Sequence, residues 1–407
     1  MAITFVETFK HGLEERRQQA ITVPFLDFLM AGGLSIIVMI LGTIFVDVEP
    51  NLHKVFLASF LFSFALNYPH FMHSYQLLYN GIWGKLLDNK YNIIFRLRHL
   101  LAAFIAPAAL LGLFAFGFMY PSENLFGYGV NIMFLFSGWH YVKQGYGIMI
   151  VLSARRKVFY TEAEKILLLA NAYGVWAYTW LRHNSAFNTL EFHNVKYKTF
   201  DAFTLIIDAI NNRIGTFDMS IDTQPQEVMQ TLAYGVMILS FFSAFVLLQK
   251  AWSEKQWPAI NGLVAYGSAL YIWVVYPYSN IYLIYFVPAF HSLQYLLIVW
   301  KMKSEQAKEQ AREFANKTAL AQSEVSRFKQ CLIKGKFIIF VITGLASGAL
   351  FFEAIPRFLD KNIEYDHMLF GPNIFMFMFL IFINVHHYII DFAIWRKDNP
   401  DMRHLFK

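Results

Sequence analysis

NVHHYIIDFAIW, residues 384–395, closes an apolar run that begins at Ile374, and its reading decides the fold. The run is long enough to cross a bilayer as a helix, for which about 20 apolar residues suffice. As a helix it sets His387 and Asp391, four residues apart, on one face, with His386 turned about 100° away and Asn384 beside them. Ionisable side chains at lipid depth are expensive, so their presence points to a function.

The rest of the chain agrees with a membrane setting. Its 407 residues are 57% hydrophobic and only 15% charged, too apolar for a soluble globule. A single cysteine, Cys331, excludes an internal disulfide framework and a thiolate cluster, so any metal ligands are His, Asp, Glu or backbone groups. The formal charge of +6 is spread over loops and forms no nucleic-acid-binding tract; it fits topology and contact with anionic lipids. The first 20 residues, MAITFVETFKHGLEERRQQA, are mixed in charge and read as a short surface helix, with no cleavable signal.

The expected fold is an all-α polytopic bundle of ten spans, at about 25–46, 54–79, 97–119, 128–152, 164–182, 230–250, 258–277, 279–300, 335–353 and 372–394. Basic segments such as ERRQQ, KLLDNKYNIIFRLR, SARRK, KAWSEK and RKDNPDMRHLFK alternate with loops poor in Lys and Arg, which predicts both termini in the cytoplasm. The chain thus divides into a cytoplasmic segment 1–24, membrane helices at 25–182, a non-cytoplasmic insertion 183–229, membrane helices at 230–300, a charged linker 301–334 read as a helix or helical hairpin, and 335–407 with the last two spans and a cytoplasmic tail. The expected location is the cytoplasmic (inner) membrane.

On this topology seven of the 13 histidines fall in one layer between the bilayer midplane and the cytoplasmic face. They are His70 and His73 of NYPHFMHSYQ, His99 of RLRHL, His140 of SGWHYVKQGYG, His291 of PAFHSLQY, and the pair His386 and His387. At a rise of about 1.5 Å per residue their depths from the outer face are about 17–28 Å. Taken singly, a buried histidine such as His70, His140 or His291 is often just an interhelical hydrogen-bonding group, and His99 beside Arg98 fits the polar interface. Two imidazoles at HxxH and two at HH are harder to explain that way. The expected metal ligands are therefore His70, His73, His140, His291, His386, His387 and Asp391, with His99 and Asn67 as second choices. Tyr388, Lys143 and Gln144 are candidate catalytic side chains beside them. Pro69 and Pro288, each shortly before a histidine, are expected to kink their helices and make room for a site.

Imidazoles with a carboxylate suit iron, with zinc, copper, manganese and haem as further options. A site at membrane depth meets apolar small molecules, so oxygen chemistry on a lipid or isoprenoid follows as the reaction class, with a possible electron-donor protein on the cytoplasmic side. The HxxxH and HxxHH boxes of histidine-box membrane desaturases and hydroxylases are absent. The segments Pro69-His70, Trp139-His140 and Pro288 to His291 resemble the isolated ligands of the Brp/Blh-like membrane carotenoid cleavage dioxygenases. That resemblance implies single histidines on several spanning helices around one iron; it covers three short segments, leaves the HH-xxx-D element outside, and names no substrate. Two further classes compete. A transporter would use His, Lys143 and Asp391 as a proton relay, although no internal repeat is present. A haem electron carrier would use two histidines as axial ligands.

Overall fold

A computed structural model of the chain describes residues 20–46, 50–120, 123–186, 189–192, 195–198, 225–253, 258–275, 285–317, 324–396 and 398–405. Their regular secondary structure is helical apart from a short antiparallel hairpin, β1 (Thr189–Phe192) with β2 (Val195–Lys198). Among the described residues six helices are long and apolar enough to cross a membrane: α1 (Pro24–Phe45), α2 (Leu52–Tyr79), α4 (Ile93–Met119), α7 (Met229–Ser253 within Pro225–Ser253), α10 (Gly335–Asn362, at the end of a helix beginning at Glu324) and α12 (Ile374–Ile394). This is a membrane protein. The other four expected spans fall on α5 (Glu123–Arg155), α6 (Glu162–Ala186), α8 (Ile260–Val275) and α9 (Val287–Lys317), which are more polar or shorter. Two short helices, α3 (Ile82–Leu87) and α11 (His367–Phe370), lie between longer ones.

Wide, π-helical turns interrupt the apolar helices, and three share a cause in the sequence. They occupy Ser63–Asn67 of α2, Leu101–Ile105 of α4 and Leu350–Ala354 of α10, and each ends two residues before a proline, Pro69, Pro107 or Pro356. Proline has no N–H and its ring clashes with the carbonyl four residues back, so the preceding turn opens instead of the helix ending. A fourth wide turn, Leu29–Gly33 of α1, contains Gly32 at φ 143°, a conformation that only glycine adopts readily. Carbonyls left over in such turns need donors at lipid depth. Neighbouring side chains supply them: Gln294 donates to the Ala31 carbonyl, Tyr79 Oη to Ala103 at 2.8 Å, and His386 Nε2 to Ala102 at 2.7 Å. Pro288 behaves differently from the expected kink. It stands in the first turn of α9, where a missing N–H costs nothing.

The chain divides into two compact units. The first comprises Met1–Gly112, Tyr282–Phe358 and Phe382–Lys407. Within it α10 packs on α2 through Gly344 and Gly348, four residues apart on one face: a Cβ at Gly348 would stand 2.6 Å from the Tyr68 Cβ, and one at Gly344 would strike the His73 imidazole. Such small-residue contacts replace the hydrophobic drive that lipid removes. An apolar layer of Leu77, Leu78, Ala102, Val299, Ile390 and Met402 joins α2, α4, α9, α12 and the C-terminal turn Pro400–Leu405. That turn is tied down by Asp401, 3.0 Å from the Lys85 ammonium, and by the Gln306 amide donating to its carbonyl at 3.3 Å.

The second unit comprises Leu113–Ile281 and Leu359–Ile381. There α5, α6, α7 and α8 pack together, with Gly145 of α5 against Ala265 and Ala269 of α8. Fully buried Asn171 ties α6 to its neighbours, donating to Tyr266 Oη at 3.1 Å and accepting from Ser240 at 2.9 Å. The start of α12 is capped from outside by Asp360, whose carboxylate accepts from the Phe375 and Met376 amides at 2.8 and 3.0 Å.

The expected N-terminal surface helix lies outside the described residues, as does most of the 183–229 insertion, including its apolar stretch 200–210. The charged linker continues the two flanking helices, α9 to Lys317 and α10 from Glu324, with 318–323 outside the described residues.

Candidate metal centre

Three helices of the first unit bring histidines together. His70 follows the wide turn and Pro69 in α2, His291 lies one turn into α9, and His387 stands in the C-terminal half of α12. All three are buried, and their ligand nitrogens lie within 4.8 Å of one another. The closest pair is His70 Nε2 and His387 Nε2 at 2.9 Å. The His291 ring centre is 5.0 Å from that of His70. Asp391, one turn beyond His387 and also buried, places a carboxylate oxygen 3.7 Å from His387 Nε2.

The other nitrogen of each paired ring is gripped by a serine: His70 Nδ1 is 2.7 Å from Ser292 Oγ, and His387 Nδ1 is 2.6 Å from Ser74 Oγ. A serine hydroxyl has one proton to give. Ser292 Oγ also lies 2.7 Å from the Pro288 carbonyl and 2.9 Å from Asn67 Oδ1, both acceptors, so its proton goes there and it accepts from His70 Nδ1–H. Ser74 Oγ, beside His387 Nδ1, also meets Tyr295 Oη at 3.0 Å and the His70 carbonyl at 3.4 Å. The two Nε2 atoms face one another at 2.9 Å, a spacing at which they can share a proton or a metal ion.

The donor set fits a metal. Metal–nitrogen bonds of about 2.05 Å at a right angle put two imidazole nitrogens about 2.9 Å apart. Ligating histidines characteristically have their second nitrogen held by another group, as the serines hold these. Two axial ligands of a haem stand on opposite sides of the iron, about 4 Å apart with the ring between them, which the His70–His387 gap does not accommodate. His70, His291 and His387 are the residues that would hold the ion, with Asp391 as the neighbouring carboxylate.

Other expected ligands are engaged elsewhere. His73 Nδ1–H donates to Gln76 Oε1 at 2.7 Å and its Nε2 accepts from Trp300 Nε1–H at 3.0 Å, while its ring stacks on Phe340 at 4.1 Å. His386, donating to the Ala102 carbonyl, accepts from Tyr75 Oη at 3.0 Å, so both its nitrogens are occupied. His99 Nδ1–H donates to its own helix at Phe95, 2.8 Å away. Asn67 is part of the support, accepting from Ser292. Tyr388 donates to Asn384 at 3.1 Å.

His140, Lys143 and Gln144 belong to α5 in the second unit, where His140 is buried and the Lys143 ammonium lies 4.3 Å from the Trp139 ring centre. Ser74 and Ser292 are not among the side chains that the sequence reading picks out, whereas Tyr295 is one of six tyrosines, with Tyr68, Tyr75, Tyr141, Tyr146 and Tyr388, that it offers as outer hydrogen-bonding groups. The signal for these three is a hydroxyl one helical turn after His70, another beside His291, and a tyrosine one turn after it.

Comparison with protein-family profiles, with curated proteins and with solved structures returned no match.

Proposed function

We propose that the protein is a metal-dependent oxidoreductase of the membrane, of the non-haem iron oxygenase, hydroxylase or desaturase type, acting on a lipid or isoprenoid. The observation that carries this reading is the facing pair of His70 and His387, 2.9 Å apart at Nε2 with each Nδ1 held by a serine. When bound, an iron ion would supply the activation of dioxygen. The chain's own contribution is ligation by imidazoles of fixed orientation, a carboxylate at Asp391 to balance charge, and burial of all four side chains away from water. Apolar substrates follow from the setting, since such a site is reached from lipid.

The proposal includes the finer topology: ten spans, both termini in the cytoplasm, the centre nearer the cytoplasmic side, and residence in the cytoplasmic (inner) membrane. The alternation of Lys- and Arg-rich with poorly charged loops supports it. An electron donor would then approach from the cytoplasm.

The deciding experiment is metal content by mass spectrometry with an absorption spectrum, on protein purified in detergent without a histidine tag. One or two irons per chain without a Soret band is the expected result. A Soret band would replace this reading with haem electron transfer. Absence of stoichiometric metal after reconstitution would leave the His70–His387 pair sharing a proton and make a transport relay the better account.

A further inference from the structure

Tyr295 is fully buried one turn after His291, and its ring lies almost parallel to that of His70, with centres 4.2 Å apart and planes 13° apart. The Tyr295 ring also meets that of Trp395, nearly perpendicular at 86° with centres 5.5 Å apart. Trp395 is half-buried and follows the last residue of α12, in the segment that the charge pattern assigns to the cytoplasmic face. The phenol of Tyr295 is fixed by Ser74 at 3.0 Å, so the ring has one orientation. Hence three aromatic rings lead from a ligand of the centre to the end of the bundle, and the two that are not ligands are tyrosine and tryptophan, the side chains that most readily pass an electron. The other aromatic rings touching these histidines are Phe71, which leads to Phe352, and Tyr388, 5.4 Å from His387; Trp395 meets the centre through Tyr295.

We infer that Trp395 and Tyr295 form the electron path into the His70–His291–His387 centre from a one-electron donor at the cytoplasmic face. This rests on the metal reading above and deepens it: a centre fed with electrons from outside suits a hydroxylase or desaturase, whereas a dioxygenase that cleaves a carbon–carbon bond takes its electrons from substrate. Each transfer oxidises the donor by one electron and reduces the metal by one; no bond is made or broken in the chain.

The test is anaerobic stopped-flow reduction of the metal-loaded protein in detergent by reduced methyl viologen, followed by the absorption of the metal. Trp395→Phe and Tyr295→Phe should retain full metal content and slow reduction at least about tenfold, equivalent to about 1.4 kcal/mol of barrier. Trp395→Tyr should restore most of the rate, and Trp83→Phe, at an exposed ring on α3, should leave it unchanged. Metal-loaded Trp395→Phe reduced at the wild-type rate, or Trp83→Phe slowed equally, overturns the path alone. Wild-type protein without a redox-active metal removes the metal reading and the path with it.

Discussion

His70 and His387 meet Nε2 to Nε2 at 2.9 Å, and each turns its Nδ1 to a serine on a different helix, His70 of α2 to Ser292 of α9 and His387 of α12 to Ser74 of α2. Three helices thereby close a ring of contacts around two facing imidazole nitrogens. The expected consequence is selective. His70→Ala or His387→Ala should abolish metal retention, measured by mass spectrometry on purified protein. His73→Ala and His386→Ala should keep stoichiometric metal while losing about 1–3 kcal/mol of stability, because each leaves buried partners unpaired. The sequence expectation that His140 is also a ligand is tested in the same series: His140→Ala is expected to lose metal, and His193→Ala, at a position outside the described residues, to retain it.

Ser292→Ala removes the acceptor that orients His70 without touching a ligand atom. Loss of such an outer hydrogen bond typically weakens metal affinity about 10- to 100-fold. Competition against a chelator should show this range for Ser292→Ala and for Ser74→Ala, with the spectrum of the bound metal preserved at saturation. Unchanged affinity in both would mean that the serines serve only the packing of α2 against α9 and α12.

How much of this was legible in the chain can be argued from its histidines. That His70, His291 and His387 occupy similar depth follows from helix length and loop charge, and that much is readable. Which of seven histidines meet is decided by partners that sequence does not align. His386 is adjacent to His387 yet serves the Ala102 carbonyl, because Pro107 opens the turn of α4 that contains it. His73 is one turn from His70 yet is held by Gln76 and by Trp300 of α9. The proline two residues after three of the wide turns was a readable sign, and so was the Gly344-xxx-Gly348 spacing in α10; neither carries meaning until the neighbouring helix is known. The less apolar expected spans show the limit of hydropathy: α5 and α6 carry buried Asn131, His140 and Asn171, which lower their apparent apolarity.

Gly344→Ala is expected to be among the most damaging single-methyl changes in the protein. The new Cβ would collide with the His73 ring, and that ring is pinned by Gln76, Trp300 and Phe340, so it has no free direction in which to yield. Overpacking of this kind costs about 1–3 kcal/mol. Thermal unfolding in detergent should fall by several degrees, whereas Gly112→Ala, whose Cβ meets nothing within 4 Å, should leave the midpoint unchanged or slightly raised.

The last prediction concerns pH at the start of the helix that carries the centre. Tyr365 lies between α10 and α12, donates to Asp360 at 3.1 Å, and has its phenol pushed up to about 12, first by burial and then by the adjacent Asp360 carboxylate. A group whose folded pKa exceeds its unfolded value contributes stability below the unfolded pKa, here about 10, and loses it as pH rises through the folded one. Between pH 10 and about 12 the folded chain holds a proton that the unfolded chain has released, so stability should fall with pH across that window. Other tyrosines titrate nearby, so the useful quantity is a difference. Tyr365→Phe should flatten the wild-type decline between pH 10 and 12 while keeping the neutral-pH midpoint close to wild type. Asp360→Ala should instead lower the midpoint at every pH, by about 1 kcal/mol or somewhat more, because it uncaps the Phe375 and Met376 amides at the first turn of α12. If both variants tracked the wild-type curve from pH 7 to 12, Asp360 would not be the cap that fixes α12.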